Sequence, residues 1–208
     1  MTDLDTGPEV GGPGVTVRPA SADTWDDLQA VFGTRGDAAH CYCQRYKLAP
    51  RESFGALGVD ELRLRLRSQT GGDGPVEHTA GLVGYLDGVP AGWVAVQPRT
   101  AYRGLLRVYR IPWQGRDEDR SDPGVWSITC VFVRSGGYRR SGIGTALVEG
   151  AVSHAAANGA RAVEAYPATI TNLIWGESHV GFPGMFEAAG LVEVSRPSHR
   201  RVVMRREL

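Results

Sequence analysis

Residues 125–159, VWSITCVFVRSGGYRRSGIGTALVEGAVSHAAANG, constrain the fold more than any other stretch of this chain. Residues 125–133 are rich in β-branched and aromatic types and contain neither Pro nor Gly, which predicts a buried strand. A turn at Arg134, Ser135, Gly136, Gly137 and Tyr138 follows. Then Ile143, Ala146, Leu147, Gly150, Ala151, His154 and Ala155 recur at helical spacing, and Asn158-Gly159 closes the helix. Between strand and helix stands Arg139-Arg140-Ser141-Gly142-Ile143-Gly144. Small residues there let a ligand approach the unpaired N–H groups of a helix's first turn, where the dipole's positive end and two arginines favour a phosphate chain. An ordinary strand–turn–helix connection, with glycine present for packing, is the alternative.

Two common phosphate loops do not fit. A Walker loop needs Gly-Lys-Ser/Thr, and the only lysine is Lys47; a dinucleotide fingerprint needs a third glycine where Leu147 stands. What remains is R-x-x-G-x-G, formed by Arg139, Gly142 and Gly144, after a strand ending Val-Phe-Val. It resembles the acyl-CoA-binding motif Q/R-x-x-G-x-G/A of the GNAT superfamily of N-acetyltransferases.

The rest of the chain is consistent with one domain over residues 15–208, behind a disordered leader at 1–14 that is rich in Gly, Pro and Asp. A strand is predicted at 15–19, then a helix at about 24–32 capped by Ser21 or Asp23, with Trp25, Leu28 and Phe32 inward. In the segment His40-Cys41-Tyr42-Cys43, a thiolate and imidazole set would suit zinc, but no second Cys/His pair follows; a loop lining a pocket is the other reading, and no metal is expected. A helix is predicted over 60–69, although Leu62, Leu64 and Leu66 alternate like a strand. Strands at about 77–86 and 91–97 form a hairpin across Asp87-Gly88-Val89-Pro90. Residues 98–124 form a long connection, in which Tyr102, Tyr109 and Trp113 either wall a pocket or pin the loop. A strand at 162–166 should lie parallel to 125–133. An irregular stretch holding Asn172, Trp175 and His179 precedes a helix at 184–189 capped by Gly190. Strands at 191–195 and 201–206 then close a hairpin across Pro197-Ser198. This order matches the GNAT layout, and Met185-Phe186-Glu187-Ala188-Ala189-Gly190-Leu191 resembles the family's late Y-E-K-x-G-F element.

The resemblance implies an α/β GNAT fold, a mixed sheet of six to seven strands whose central parallel strands splay apart to admit acetyl-CoA. It implies that the backbone of Val131, Phe132 and Val133 pairs with the pantetheine arm. Arg139, Arg140, Ser141, Gly142, Ile143, Gly144 and Thr145 would hold the pyrophosphate. The reaction implied is direct acetyl transfer to an amine, with the Val131 N–H steadying the oxyanion. Glu164, which strand alternation places on one face with Tyr166, is the candidate base; the alternatives are an edge position facing solvent or a salt bridge to a nearby arginine. Asp117, Glu118, Asp119 and Asp122 offer further carboxylates. A tyrosine usual in the late helix is Phe186 here, which leaves Tyr166, Cys130 or water to protonate the departing thiolate.

A small-molecule amine is the expected acceptor. A protein Lys or N-terminus, or a non-catalytic acyl-CoA-binding module, are the alternatives. Basic and acidic residues balance at 23 each, so bulk charge gives no reason to expect nucleic acid or an anionic membrane, despite Arg196, Arg200, Arg201, Arg205 and Arg206 near the C-terminus. Three cysteines make no disulfide framework, which points to a reducing cytoplasm, and the Arg-rich, Ala- and Gly-rich composition points to a bacterial source. A homodimer through the closing strands is a further expectation.

Overall fold

A computed structural model describes residues 14–107, 110–172 and 178–208; residues 1–13 of the proposed leader, Tyr109 and Trp175 lie outside them. One seven-stranded sheet runs in the order β1-β2-β3-β4-β5-β7-β6. Its strands are β1 (Val15–Pro19), β2 (Gly81–Leu86), β3 (Val89–Pro98), β4 (Val125–Val133), β5 (Ala162–Ala165), β6 (Val192–Ser198) and β7 (Arg201–Glu207). Every neighbouring pair is antiparallel except β4 and β5. That pair is joined through α5 (Ile143–Ala157), the crossover a parallel connection requires, while the short α4 (Arg103–Arg107) lies in the connection between β3 and β4.

The sheet is covered on both faces. On one, α5 and α6 (Pro183–Ala188) bury Ile143, Leu147, Ala151 and Phe186 against Val94, Val96, Ile128 and Val163. On the other, α1 (Trp25–Phe32), α2 (Ala38–Cys41) and α3 (Phe54–Gln69) cover Val83, Trp93, Ala95 and Cys130 with Leu28, Phe32, Leu62 and Leu66. The alternating leucines resolve as a helix because Leu62 and Leu66, four apart, face the sheet while Leu64 is exposed. That helix begins earlier than the sequence predicts. The Ser53 hydroxyl caps it by accepting from the Ala56 N–H, and a break at Gly58 (φ +75°) separates its first turn from the rest.

Other boundaries move as well, and β2 begins at Gly81 rather than at 77. Thr24 stands at the N-cap of α1 without a side-chain capping bond; neither Ser21 nor Asp23 caps the helix, because Ser21 and Thr24 bond to each other. The first hairpin turns on Asp87 and Gly88 alone, both at positive φ, so Val89 and Pro90 belong to β3. The last hairpin turns on His199 and Arg200, and β6, an edge strand where proline removes no ladder bond, runs through Pro197. Gly190 does end α6: at φ +79° it donates to the Glu187 carbonyl while Leu191 donates to that of Phe186. No helix among the described residues is long and apolar enough to cross a membrane.

Candidate active site

Strand β4 is longer than its parallel partner, and that mismatch creates the site. Pairing of β4 with β5 stops at Ile128↔Ala165, whereas on its other side β4 pairs with β3 up to Gly92↔Val133. Beyond Ala165 the chain stays with β7, through the Val202 N–H to the Pro167 carbonyl and a bridge of Ala168 with Arg201. Among the described residues, no strand lies beside the β5-side edge of β4 from Thr129 to Val133. The irregularity opposite Ala95 and Val96, where Thr129 is the extra residue, marks where the divergence begins.

A cavity of about 690 Å³ fills this gap. Its floor is the open edge itself, Thr129, Cys130, Val131, Phe132 and Val133, with Arg139 beside Val133. One wall comes from α1 and the loop around α2: Phe32, Asp37, Ala38, Cys41, Cys43, Arg45 and Tyr46. The other comes from Thr171, His179, Gly181, Phe182 and Met185.

At the Arg139 end, α5 presents its N-terminus. Gly142 is its N-cap at φ +86° and supplies no side-chain cap. The first bond of the helix runs from the Ala146 N–H to the Gly142 carbonyl, so the N–H groups of Ile143, Gly144 and Thr145 precede the ladder. No acidic residue occupies the first turn. Arg140 is also left-handed (φ +67°), and alternation of hand along a loop turns successive N–H groups into an anion-binding concavity. A side chain on Gly144 would meet only Met185 and Val133 at ordinary contact distance, so the loop has an open approach there.

The structure places Glu164 and Tyr166 elsewhere. They share one face of the sheet, as alternation predicts, and the Tyr166 hydroxyl donates to Glu164 at 3.3 Å. Neither lines the cavity. Glu164, fully buried, takes the Arg205 guanidinium at 2.8 Å and that of Arg116, with Arg99 at 3.6 Å. Glu118 completes the cage, bonding Arg99 at 3.2 Å and Arg205 at 3.1 Å and pairing with Arg116. Burial, the largest influence, pulls the Glu164 carboxyl upward, but Arg116, Arg205 and Arg99 together hold it below the ordinary carboxylate range. Burial, reinforced by Glu164, pushes the Tyr166 phenol well up, and Tyr166 shares a 2.9 Å bond with Ser127.

The charge-rich connection is thus tied down. Trp113, buried, donates its indole N–H to the Leu105 carbonyl at 3.0 Å and is stacked by Arg99 and Arg120. Tyr102 is fully buried beside Lys47. Neither aromatic lines the cavity; they pin the loop. Phe186 is also absent from the cavity lining, because it packs into the core against Gly181. The segment His40-Cys41-Tyr42-Cys43 does reach the cavity, through both cysteines. Among the described residues no group of three or more His, Cys, Asp or Glu side chains is placed to hold a metal ion. No sequence pattern marked Asp37, Phe182 and Met185 as meeting there, because they converge only when α2 and α6 pack on opposite sides of the open strand edge, whereas Arg45 and Tyr46 continue the pocket-lining segment that begins at His40.

The acetyltransferase (GNAT) family profile matches residues 44–173, which include β2 to β5, α5 and the loop at 139–144. No curated protein matches the chain. Among solved structures it is similar to yncA from Salmonella typhimurium, solved with its cofactor acetyl-CoA, at 14% identity and TM-score 0.51 over 94% of each chain. It is similar to a GNAT-family acetyltransferase from Streptococcus pneumoniae at 15% identity and TM-score 0.50, over 93% of this chain and 99% of that one. A ribosomal-protein-alanine N-acetyltransferase from Brucella melitensis gives 15% and 0.50, over 92% and 99%. At such identities the likeness is one of fold, and it is the family profile, covering more than half the chain, that carries the assignment. This chain belongs to the GNAT acetyltransferase family.

Proposed function

We propose that the protein transfers the acetyl group of acetyl-CoA to a primary amine of a small molecule, with the cofactor lying along the open edge of β4. One observation carries this reading: among the described residues no strand pairs with β4 from Thr129 to Val133 on its β5 side, that edge floors a cavity reaching Arg139, and the uncapped N-terminus of α5 lies next to it, with Gly144 close to the cavity-lining Val133 and Met185. The pantetheine arm, with its two amides, is the ligand that such an edge would hydrogen-bond as it would another strand. The N–H groups of Ile143, Gly144 and Thr145, with Arg139 and Arg140, suit the pyrophosphate. In this reading the Val131 backbone lies alongside the thioester, where its N–H would steady the oxyanion.

Holding amine and thioester in register is worth up to about 7–11 kcal/mol relative to encounter in solution. The amine nitrogen attacks the carbonyl carbon, the C–S bond breaks, and the CoA thiolate departs with its electron pair. The amine's proton leaves through Asp37, His179 or water, since those side chains line the cavity. Phe32, Tyr46, Phe182 and Met185 supply apolar wall on both sides of the open β4 edge, and an acceptor reaching the thioester between them is better matched by a small molecule than by a polypeptide.

The test is release of free CoA from acetyl-CoA across a panel of amines, amino acids, polyamines and peptides, with CoA affinity measured by calorimetry. Acceptor-dependent release that Gly142→Val suppresses is expected. Absence of CoA binding would overturn the reading. Turnover with peptides alone would replace its acceptor class.

A further inference from the structure

The cavity wall formed by α1 and the loop around α2 carries one carboxylate and one guanidinium, Asp37 and Arg45. Both residues are half-buried. In each, one polar atom is shut off from solvent without a hydrogen-bond partner among the described residues: Oδ1 of Asp37 and Nε of Arg45. Asp37 stands at the N-cap of α2, where a carboxylate ordinarily accepts from the helix, yet its side chain makes no capping bond. Arg45 likewise differs from the other arginines drawn into the fold. Arg65 is held by Glu52, and Arg99, Arg116 and Arg205 by Glu164. Among the described residues Arg45 has no such carboxylate, and its guanidinium carbon lies 5.8 Å from the centre of the Phe54 ring. Stacking on a ring fixes the plane of a guanidinium and leaves the N–H groups of its edge to an in-plane partner.

The position of Arg45 suits an acceptor and not the pyrophosphate. Two residues on, Lys47 donates to Gln97, which pairs with Ser127 just before the open edge starts at Thr129. That places the Arg45 segment toward the end of the cavity remote from Arg139. Resting on the acetyl-CoA reading above, we propose that the amine acceptor is a free α-amino acid with an apolar side chain, its carboxylate bound by Arg45 and its amino group received by Asp37.

Opposite charges held apart on one wall are the complement of a zwitterion. A guanidinium fork matches a carboxylate in plane and in number of bonds, so Arg45 fixes one end of the acceptor and thereby orients the α-nitrogen. Asp37 holds that nitrogen as an ammonium until it gives up the proton that attack on the thioester requires. The side chain on the same carbon meets Met185 and Phe182 on the facing wall. Phe182 is 40% exposed, and a large aromatic left open on a cavity wall is surface that an apolar substituent covers. A simple amine leaves the Arg45 charge unanswered. A peptide puts a neutral amide where the carboxylate belongs, which makes the weaker hydrogen bond.

The experiment measures CoA release with leucine, methionine and phenylalanine, each compared with its amide and with the amine left by its decarboxylation. The members of each set share a side chain and differ only at the carboxylate. Values of kcat/KM about ten- to a hundredfold higher for the free amino acids are expected, the range of one hydrogen-bonded charge. Arg45→Met, which keeps an apolar stem against Phe54, should erase that preference by raising KM for the amino acid, with CoA affinity by calorimetry retained. The comparison within the wild type decides the matter whether or not the variant folds. Amides or plain amines used as well as the amino acids overturn the inference and leave the proposed function standing. A preference that survives Arg45→Met, or CoA binding without turnover of any of the amino acids, overturns it equally. Failure to bind CoA removes both.

Discussion

Glu164 shows how one residue type supports two readings that only its neighbours separate. A glutamate in an inner strand beside a cofactor slot is chemically suited to be a base, yet this one is enclosed by Arg99, Arg116 and Arg205. Removing one partner of a buried ionic cluster leaves the others uncompensated, at about 3–5 kcal/mol. Glu164→Gln should therefore destabilise the fold by that order in urea titrations, with CoA affinity retained where the variant is folded. A base would instead lose turnover at unchanged stability. The same cage makes stability sensitive to acid. Because the folded carboxyl is held below its unfolded value, its contribution is present above the unfolded pKa and is lost as pH falls through the folded one. Unfolding free energies followed downward from neutral pH should fall more steeply for the wild type than for Glu164→Gln.

At the scale of elements, the site depends on how α5 meets the sheet. Gly92 and Gly150 are contact points of that packing. A Cβ on Gly92 would lie 2.8 Å from Leu147 and 3.1 Å from the Phe132 carbonyl, and one on Gly150 would lie 2.9 Å from Val17. Gly92→Ala should cost about 1–3 kcal/mol by overpacking, read as a lower denaturation midpoint, because a backbone oxygen cannot move aside as a flexible side chain can. Gly142 has a different role. Space for a side chain exists there, but φ is +86°, and left-handed backbone costs an L-residue about 1–2 kcal/mol. Gly142→Val should therefore distort the phosphate loop and weaken CoA binding by about tenfold, the equivalent of about 1.4 kcal/mol, in calorimetry.

For the whole molecule, the sheet is the shared wall of two cores, one under α5 and α6 and one under α1 to α3. Neither core closes without the strands between them, so thermal unfolding should follow a single transition. A ligand seated along β4 touches segments from both sides of the sheet, and binding to the native state alone stabilises it. CoA at a hundredfold its dissociation constant should add about 2.7 kcal/mol. For a domain of this size that corresponds to a midpoint about 5–10 °C higher by calorimetry. Arg139→Met should move the same shift to higher CoA concentration without altering the midpoint of the unliganded protein, since Arg139 is exposed.

Local pattern alone determined the central strand, the crossover helix and the glycine loop between them. Each depends on residues adjacent in sequence: β-branched runs, helical spacing, and glycine where the backbone is left-handed. The Asp87-Gly88 turn and the Gly190 helix stop were legible for the same reason. Tertiary structure decided what pattern cannot carry. Whether Glu164 faces a substrate or three arginines depends on Arg99 and Arg116 in a distant loop and Arg205 on β7. That Cys43 meets Trp93 depends on α2 docking over β3, fifty residues along the chain. Sequence sets the chemistry of each side chain and the period of each element; which groups become neighbours follows only when apolar faces far apart in the chain are buried together.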